Sequence, residues 1–174
     1  MGLQRALGYT VTRANVAQRA FQHVSSSRPG AWIFAHSAHH LDKFLLRATH
    51  GGLTLAGLTA GIPVLTITTT GRRSGLPRTM PLLGVPVGDD LALVGTNFGR
   101  EHEPAWVGNL RAEPRATVEY RGTRVDVIAR DATAEERDAV LREAARIYPG
   151  YDSYRERITT REIPVIVLEP AVNG

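Results

Sequence analysis

Pro63-Val64-Leu65-Thr66-Ile67-Thr68-Thr69-Thr70-Gly71-Arg72-Arg73-Ser74-Gly75-Leu76-Pro77-Arg78-Thr79-Met80-Pro81-Leu82-Leu83-Gly84-Val85-Pro86-Val87 is the stretch on which the reading of this chain turns. From Pro63 the period is two: Leu65 and Ile67 alternate with Thr66, Thr68 and Thr70, and the β-branched content favours a strand. Gly71 to Gly75 then reads as a turn, and a second strand runs from about Arg78 to Val87. Pro81 and Pro86 each remove a ladder donor from that second strand, so it lies at an edge, carries a bulge, or bends to close a barrel.

Working outward, Gly88-Asp89-Asp90 turns the chain into a third strand, Leu91 to Thr96. Pro104 suits the first turn of a short helix reaching about Arg111, with Trp106 and Leu110 on its inner face. Arg115 to Ala129 is the clearest hairpin, with Arg121-Gly122 at its tip. Thr133 and Glu136 form a capping box opening a helix whose core face holds Val140, Ala144 and Ile147 or Tyr148, and which Pro149-Gly150 ends. Ile163 to Leu168 is a continuous apolar run, expected as a buried last strand. Before Pro63 the pattern is helical: one helix carries Val16, Ala20, Phe21 and Val24, and a second runs from about Ala31 to Thr49. Short strands with helices inserted, and no regular βαβ alternation, predict an α+β mixed barrel over residues 61–174 with an amino-terminal helical extension over residues 1–60. They argue against a Rossmann site.

The 174 residues contain no cysteine, which excludes disulfides, thiolate metal sites and cysteine nucleophiles and fits a reducing cytoplasm. No stretch reads as a membrane span, because the longest apolar run, about Leu53 to Leu65, is broken by Gly57, Gly61 and Pro63. Charge is lopsided. Residues 1–88 carry nine Lys or Arg against one carboxylate, Asp42, whereas residues 89–174 carry twelve against sixteen. Such a field attracts an anionic ligand, an anionic membrane surface or nucleic acid. The basic first 50 residues are read either as covering the barrel or as touching a membrane surface. Nucleic acid lacks any supporting motif, and His36, His39 and His40 lack an acidic partner at metalloprotease spacing, so no metal site is expected.

Three segments could carry chemistry. Arg72-Arg73-Ser74, between two glycines, offers forked, permanently charged donors to phosphate or carboxylate oxygens; without the glycine–lysine–Ser/Thr ending it is not a Walker loop. Pro104 to Arg111 offers a helix entry, the Trp106 indole and the Asn109 amide, groups that suit a ring cofactor, although Trp106 also reads as core and Asn109 as a cap. Tyr148-Pro149-Gly150-Tyr151-Asp152-Ser153-Tyr154 holds three of the five tyrosines; Tyr148 reads as structural, whereas Tyr151 and Tyr154, beyond the Pro-Gly break, could line a pocket mouth.

These segments resemble, in kind and in order, the deazaflavin-dependent nitroreductase family. The resemblance covers about Pro63 to Pro170: the threonine strand with Gly71-Arg72-Arg73-Ser74-Gly75 and Pro77-Arg78, then Pro104-Ala105-Trp106 with Asn109-Leu110, then Tyr148 to Tyr154 and Ile163 to Leu168. It implies an FMN-binding/pyridoxamine-phosphate-oxidase-like split β-barrel. The implied activity is an oxidoreductase passing hydride from reduced coenzyme F420, an 8-hydroxy-5-deazaflavin, to a quinone, nitro compound or activated alkene. By that resemblance Arg72, Arg73 and Ser74 hold the phosphate and acidic tail, and Arg78, Thr79, Met80, Pro81, Leu82 and Leu83 run beside the ligand. Val94, Gly95, Thr96 and Asn97 line the deazaflavin, as do Ala105, Trp106, Val107, Gly108 and Asn109. Tyr148, Tyr151 and Tyr154 face the substrate, with Tyr151 as proton donor. Arg73 stands where family turns often have lysine, which leaves the preferred tail length open. An FMN oxidoreductase on the same barrel, or a non-catalytic carrier of deazaflavin or a lipophile, are the alternatives. Homo-oligomers are common for this barrel type.

Overall fold

The computed structural model describes residues 1–11 and 63–171. The expected helices around Val16 to Val24 and Ala31 to Thr49, and the three clustered histidines, lie outside the described residues.

Seven antiparallel strands form one sheet: β1 (Val64–Thr70), β2 (Pro77–Leu83), β3 (Val85–Val87), β4 (Asp90–Val94), β5 (Arg115–Tyr120), β6 (Thr123–Asp131) and β7 (Val165–Pro170). Their order is β2-β1-β5-β6-β7-β4-β3. The two edge strands, β2 and β3, are neighbours in sequence, separated only by Gly84. One bent run of chain therefore supplies both edges, and the sheet curls into a split barrel. Pro81 and Pro86 sit on those edges, where a missing N–H breaks no ladder.

Gly84 is the corner that the expected continuous strand from Arg78 to Val87 lacked. A Cβ there would lie 2.8 Å from Leu65 Cδ2 and 2.8 Å from the Tyr9 hydroxyl. That hydroxyl shares its one proton between the carbonyls of Pro63 (2.7 Å) and Gly84 (2.6 Å), and burial pushes its pKa well above the ordinary phenol value. Helix α1 (Leu3–Leu7) is stitched beside it, with the Leu3 N–H donating to Asp90 Oδ1 at 2.9 Å and Leu3 and Leu7 buried in the barrel. Leu3, Leu7 and Tyr9 thus pack as part of the barrel core.

Alternation along the strands produces two apolar layers. Leu65, Ile67, Leu91, Leu93, Val118, Val127, Ile166 and Leu168 fill the barrel. Ala92, Val94, Val165 and Val167 pack outward with Val85, against Val140 and Ala144 of helix α3 (Ala134–Ile147). A strand covered on both faces has no polar face to show, which is why the 163–168 stretch reads as an unbroken apolar run. Each fully buried Val, Leu or Ile among them contributes roughly 1.5–3 kcal/mol relative to exposure. The Thr133/Glu136 capping box starts α3 as expected, and Arg121 (φ 48°) and Gly122 (φ 83°) form the mirror-image two-residue hairpin turn.

Helix α2 (Ala105–Ala112) closes one mouth of the barrel with Trp106, Val107 and Leu110. The carboxyl end of β1, the carboxyl end of β4 and the start of β5 meet at that same mouth.

Candidate active site

The turn between β1 and β2 is built from within and then fixed to α2. The N–H groups of Ser74 and Gly75 donate to the Gly71 carbonyl (3.1 and 2.7 Å), and Gly75 takes the left-handed conformation (φ 66°) that closes the bend. Asn109, buried on α2, accepts the Arg72 backbone N–H on Oδ1 (3.1 Å) and donates from Nδ2 to Thr69 Oγ1 (3.1 Å). Its amide is thereby used to staple the turn to the helix. Beside it the Arg72 guanidinium lies across Gly108, where a Cβ would stand 2.7 Å from Nη1. Arg78 reaches back to Ser74 Oγ at 3.4 Å.

Arg72, Arg73, Ser74, Arg78 and Thr79 are exposed, and Met80 to Leu83 are half-buried along the edge strand. Among the described residues none of Arg72, Arg73 and Arg78 enters an ion pair. By contrast Arg111, Arg124, Arg130 and Arg137 are each paired with a carboxylate, at 2.6 to 3.0 Å. Three guanidinium groups at and beside one bend, without a carboxylate partner among the described residues, form an anion-attracting surface.

Between β4 and α2 the chain makes an unusual loop. The strand expected to reach Thr96 stops at Val94, and Asn97 (φ 48°), Phe98 (φ 58°) and Gly99 (φ 78°) follow in the left-handed region. Asn97 and Phe98 each cost on the order of 1 kcal/mol there, because their Cβ atoms crowd the following carbonyl. Arg161 holds the loop: its Nη2 faces the carbonyls of Gly95 (3.2 Å), Thr96 (3.3 Å) and Arg100 (3.0 Å). Glu101 clamps it from outside, accepting from the backbone N–H and hydroxyl of both Thr159 and Thr160, which keeps its carboxyl below the usual range. Val94, Gly95 and Thr96 are buried and Asn97 half-buried. On α2, Ala105 is exposed and Gly108 half-buried, while Trp106 and Val107 lie in the barrel core. The core reading of Trp106 thus holds for the side chain.

The tyrosine segment beyond the Pro149-Gly150 break forms an element that the sequence reading did not assign. Gly150–Arg157 is a helix, α4, because Tyr151, Tyr154 and Ile158 recur at helical spacing and Pro149 precedes its first turn. Tyr148 and Tyr154 are buried, their hydroxyls 3.3 Å apart, and Tyr151 packs edge-on against both rings with Leu83 beside it. Desolvation, then the neighbouring Tyr148, pushes the Tyr151 phenol well above its ordinary pKa, and among the described residues its hydroxyl has no hydrogen-bond partner. Tyr154 touches the loop: its ring is 6.3 Å from that of Phe98, and Gly99 packs against Arg157. Among the described residues no hydrogen bond, ion pair or ring contact joins the arginine turn to the tyrosines. Their connection runs through the 94–104 segment, which meets α4 at Phe98 and Gly99 and becomes α2 at Ala105.

A family model described as F420H(2)-dependent quinone reductase matches residues 41–170, most of the chain. The chain belongs to the F420H(2)-dependent quinone reductase family. An F420H(2)-dependent quinone reductase of Mycobacterium tuberculosis is 31% identical over 114 residues, covering 61% of this chain and 72% of that one. Among solved structures, an F420-H2 dependent reductase (FDR-A) superposes with a TM-score of 0.56 at 34% identity, covering 62% of this chain and 94% of that one. A chain solved as a domain-swapped dimer superposes at 0.58 with 29% identity, covering 81% and 99%. The resemblance read from the three motifs and the barrel expected from the strand pattern therefore both hold for this member of the quinone reductase family. Three of its features escaped the sequence reading: the Asn109 staple, the Arg72 contact with Gly108, and the loop held by Arg161. The first two join residues 37 and 36 positions apart, and the third spans more than sixty.

Proposed function

We propose that this protein oxidises reduced coenzyme F420 and reduces a small electron-poor acceptor, a quinone by preference, at the barrel mouth formed by the arginine turn, the 94–104 segment and α2. The observation that carries the reading is the bend bearing Arg72, Arg73 and Arg78 without a carboxylate partner among the described residues. A cofactor ending in a phosphate and an acidic tail fits that donor set, whereas FMN lacks the acidic tail. Arg72, Arg73, Ser74 and Arg78 would hold the tail. Gly95 to Asn97 and the exposed edge of α2 at Ala105 and Gly108 would bound the ring, with Trp106, Val107 and Asn109 keeping that wall in place.

When bound, the reduced deazaflavin supplies two electrons and one proton as hydride, and a quinone acceptor takes one further proton to become the hydroquinone. The chain's own contribution is orientation and electrostatics. The arginine turn is rigid before any ligand arrives, because Asn109 ties it to α2, so little ordering cost falls on binding. Tyr151 keeps its proton on the phenol oxygen over the whole physiological range, since burial raises its pKa. It therefore acts as a fixed O–H donor to the acceptor oxygen on which charge develops, and water supplies the proton that is finally consumed.

Two arms test this reading. Mixing reduced F420 with a naphthoquinone and the protein should restore the oxidised deazaflavin absorbance at a rate proportional to enzyme, and reduced FMN should not substitute. Tyr151→Phe should lower kcat and leave F420 affinity unchanged. F420 binding without turnover across quinone, nitro and alkene acceptors would instead identify a carrier. We further propose that the protein works as a homo-oligomer in the cytoplasm; light scattering and fractionation address these in turn. Among the described residues no helix is long and apolar enough to cross a membrane.

A further inference from the structure

We propose that Phe98 is an acceptor-binding residue: its exposed ring, held up by the loop that Arg161 fastens, is a stacking platform for a flat, fused-ring acceptor. The proposal rests on the functional reading above and assigns to that site a residue that neither the motifs nor the resemblance indicated.

Four observations converge on the ring. Phe98 is 49% exposed, one of few large apolar side chains among the described residues left in water. Its backbone is left-handed and so is that of Asn97, a conformation an unconstrained loop would relax by placing glycine there. The surroundings over-determine this conformation. Arg161 spans three carbonyls on either side of the ring, Asn97 Nδ2 donates to the His102 carbonyl at 3.1 Å, and Glu101 anchors the far end. Finally, the ring points toward chemistry already described: it stands edge-on to Tyr154, whose hydroxyl meets Tyr148 and whose ring packs against Tyr151. Among the described residues the Phe98 ring meets one other ring, that of Tyr154, and about half of its surface stays in water. The clamped loop keeps a π-face presented beside the Tyr154 ring, which in turn packs against Tyr151, as binding an electron-poor ring requires.

A structural role for Phe98 and a binding role make opposite forecasts for Phe98→Gly. Glycine accepts φ 58° without strain, so a binding role predicts an unchanged or raised Tm together with weaker acceptor binding. The experiment measures three quantities in wild type, Phe98→Gly, Phe98→Ala and Phe98→Trp. These are KM and kcat for a bicyclic naphthoquinone and a monocyclic benzoquinone at saturating reduced F420, F420 affinity by deazaflavin fluorescence, and naphthoquinone binding without cofactor by quenching of protein fluorescence. Loss of one stacking partner should raise the naphthoquinone KM and dissociation constant roughly five- to ten-fold in the Gly and Ala variants. The benzoquinone should be affected less, F420 affinity should stay within about two-fold, and Trp should restore binding.

Unchanged naphthoquinone binding in Phe98→Gly would overturn the proposal, as would a loss confined to F420 affinity or a lowered Tm with proportionate loss of everything else. A wild-type protein that binds naphthoquinone through Phe98 yet never oxidises reduced F420 would overturn the functional reading and leave the platform standing.

Discussion

Replacing Asn109 with alanine separates the stability of the barrel from the order of its arginine turn. The amide makes two hydrogen bonds from a buried position, one to the Arg72 N–H and one to Thr69 Oγ1, both at 3.1 Å. Each contributes a net 0.5–1.5 kcal/mol, and Thr69, 2% exposed, is left with only a long contact to the Arg78 carbonyl, so about 2–3 kcal/mol of stability should be lost. With a urea m-value of ~2 kcal/mol/M the midpoint should fall by about 1 M, leaving a domain of ordinary stability folded. The ligand consequence is separate. Once the staple is gone, the turn must be ordered when the tail binds. Fixing even one residue's backbone costs about 1–2 kcal/mol, so F420 affinity should weaken roughly ten-fold. Urea unfolding and fluorescence titration on the same preparation give both numbers. A lowered midpoint with unchanged F420 affinity would refute the reasoning, because it would mean that the turn holds its shape, or the ligand its place, without the helix.

Gly108→Ala should displace the Arg72 guanidinium, whose Nη1 would lie 2.7 Å from the new methyl group, and so weaken F420 binding several-fold, by titration, with little change in Tm since the obstacle is a flexible side-chain end. Gly84→Ala should destabilise the barrel by about 1–3 kcal/mol in denaturant melts, because the new Cβ meets Leu65 and the Tyr9 ring at a fixed corner. Glu136 is held by Arg130 and the Thr133 N–H, which depress its carboxyl to about 2 from 4.5. A depressed carboxyl stabilises the fold above the unfolded value and loses that contribution as pH falls from about 4.5 toward 2, so Glu136→Gln should flatten the acid limb of a Tm-versus-pH curve. Both side chains are partly open to water, and screening should keep the effect on the order of 1 kcal/mol or below. Turnover should not fall between pH 8 and 10 through ionisation of Tyr151, since burial raises that phenol's pKa.

Local signals were legible where one residue's chemistry determines the outcome. Pro81 and Pro86 place their strands at edges because a missing N–H has no other easy home, and the Thr133/Glu136 box starts its helix because both orphan donors are satisfied within four residues. The arginine turn was visible as composition, glycines beside guanidinium groups without carboxylates. What stayed hidden depends on packing. The helix Gly150–Arg157 begins with a residue of poor helix propensity and is formed by burying Tyr151 and Tyr154 against Leu83 and Tyr148. Asn109 could cap, line or staple until Thr69 and Arg72 were seen beside it, and the Trp106 indole could face ligand or core until the barrel closed around it. Phe98 carried no signal, because its backbone conformation is imposed by Arg161 from the other side of the site.

The central claim is that Arg72 and Arg73 bind the negatively charged end of the cofactor. Fluorescence titration of wild type and Arg72→Ala/Arg73→Ala with intact F420, and with the deazaflavin chromophore stripped of its phosphate and acidic tail, tests it most directly. Wild type should prefer the intact cofactor strongly, with an affinity that falls as salt rises, and the double variant should bind both ligands alike. Equal binding of the two ligands by wild type, or an intact preference in the double variant, would contradict the account.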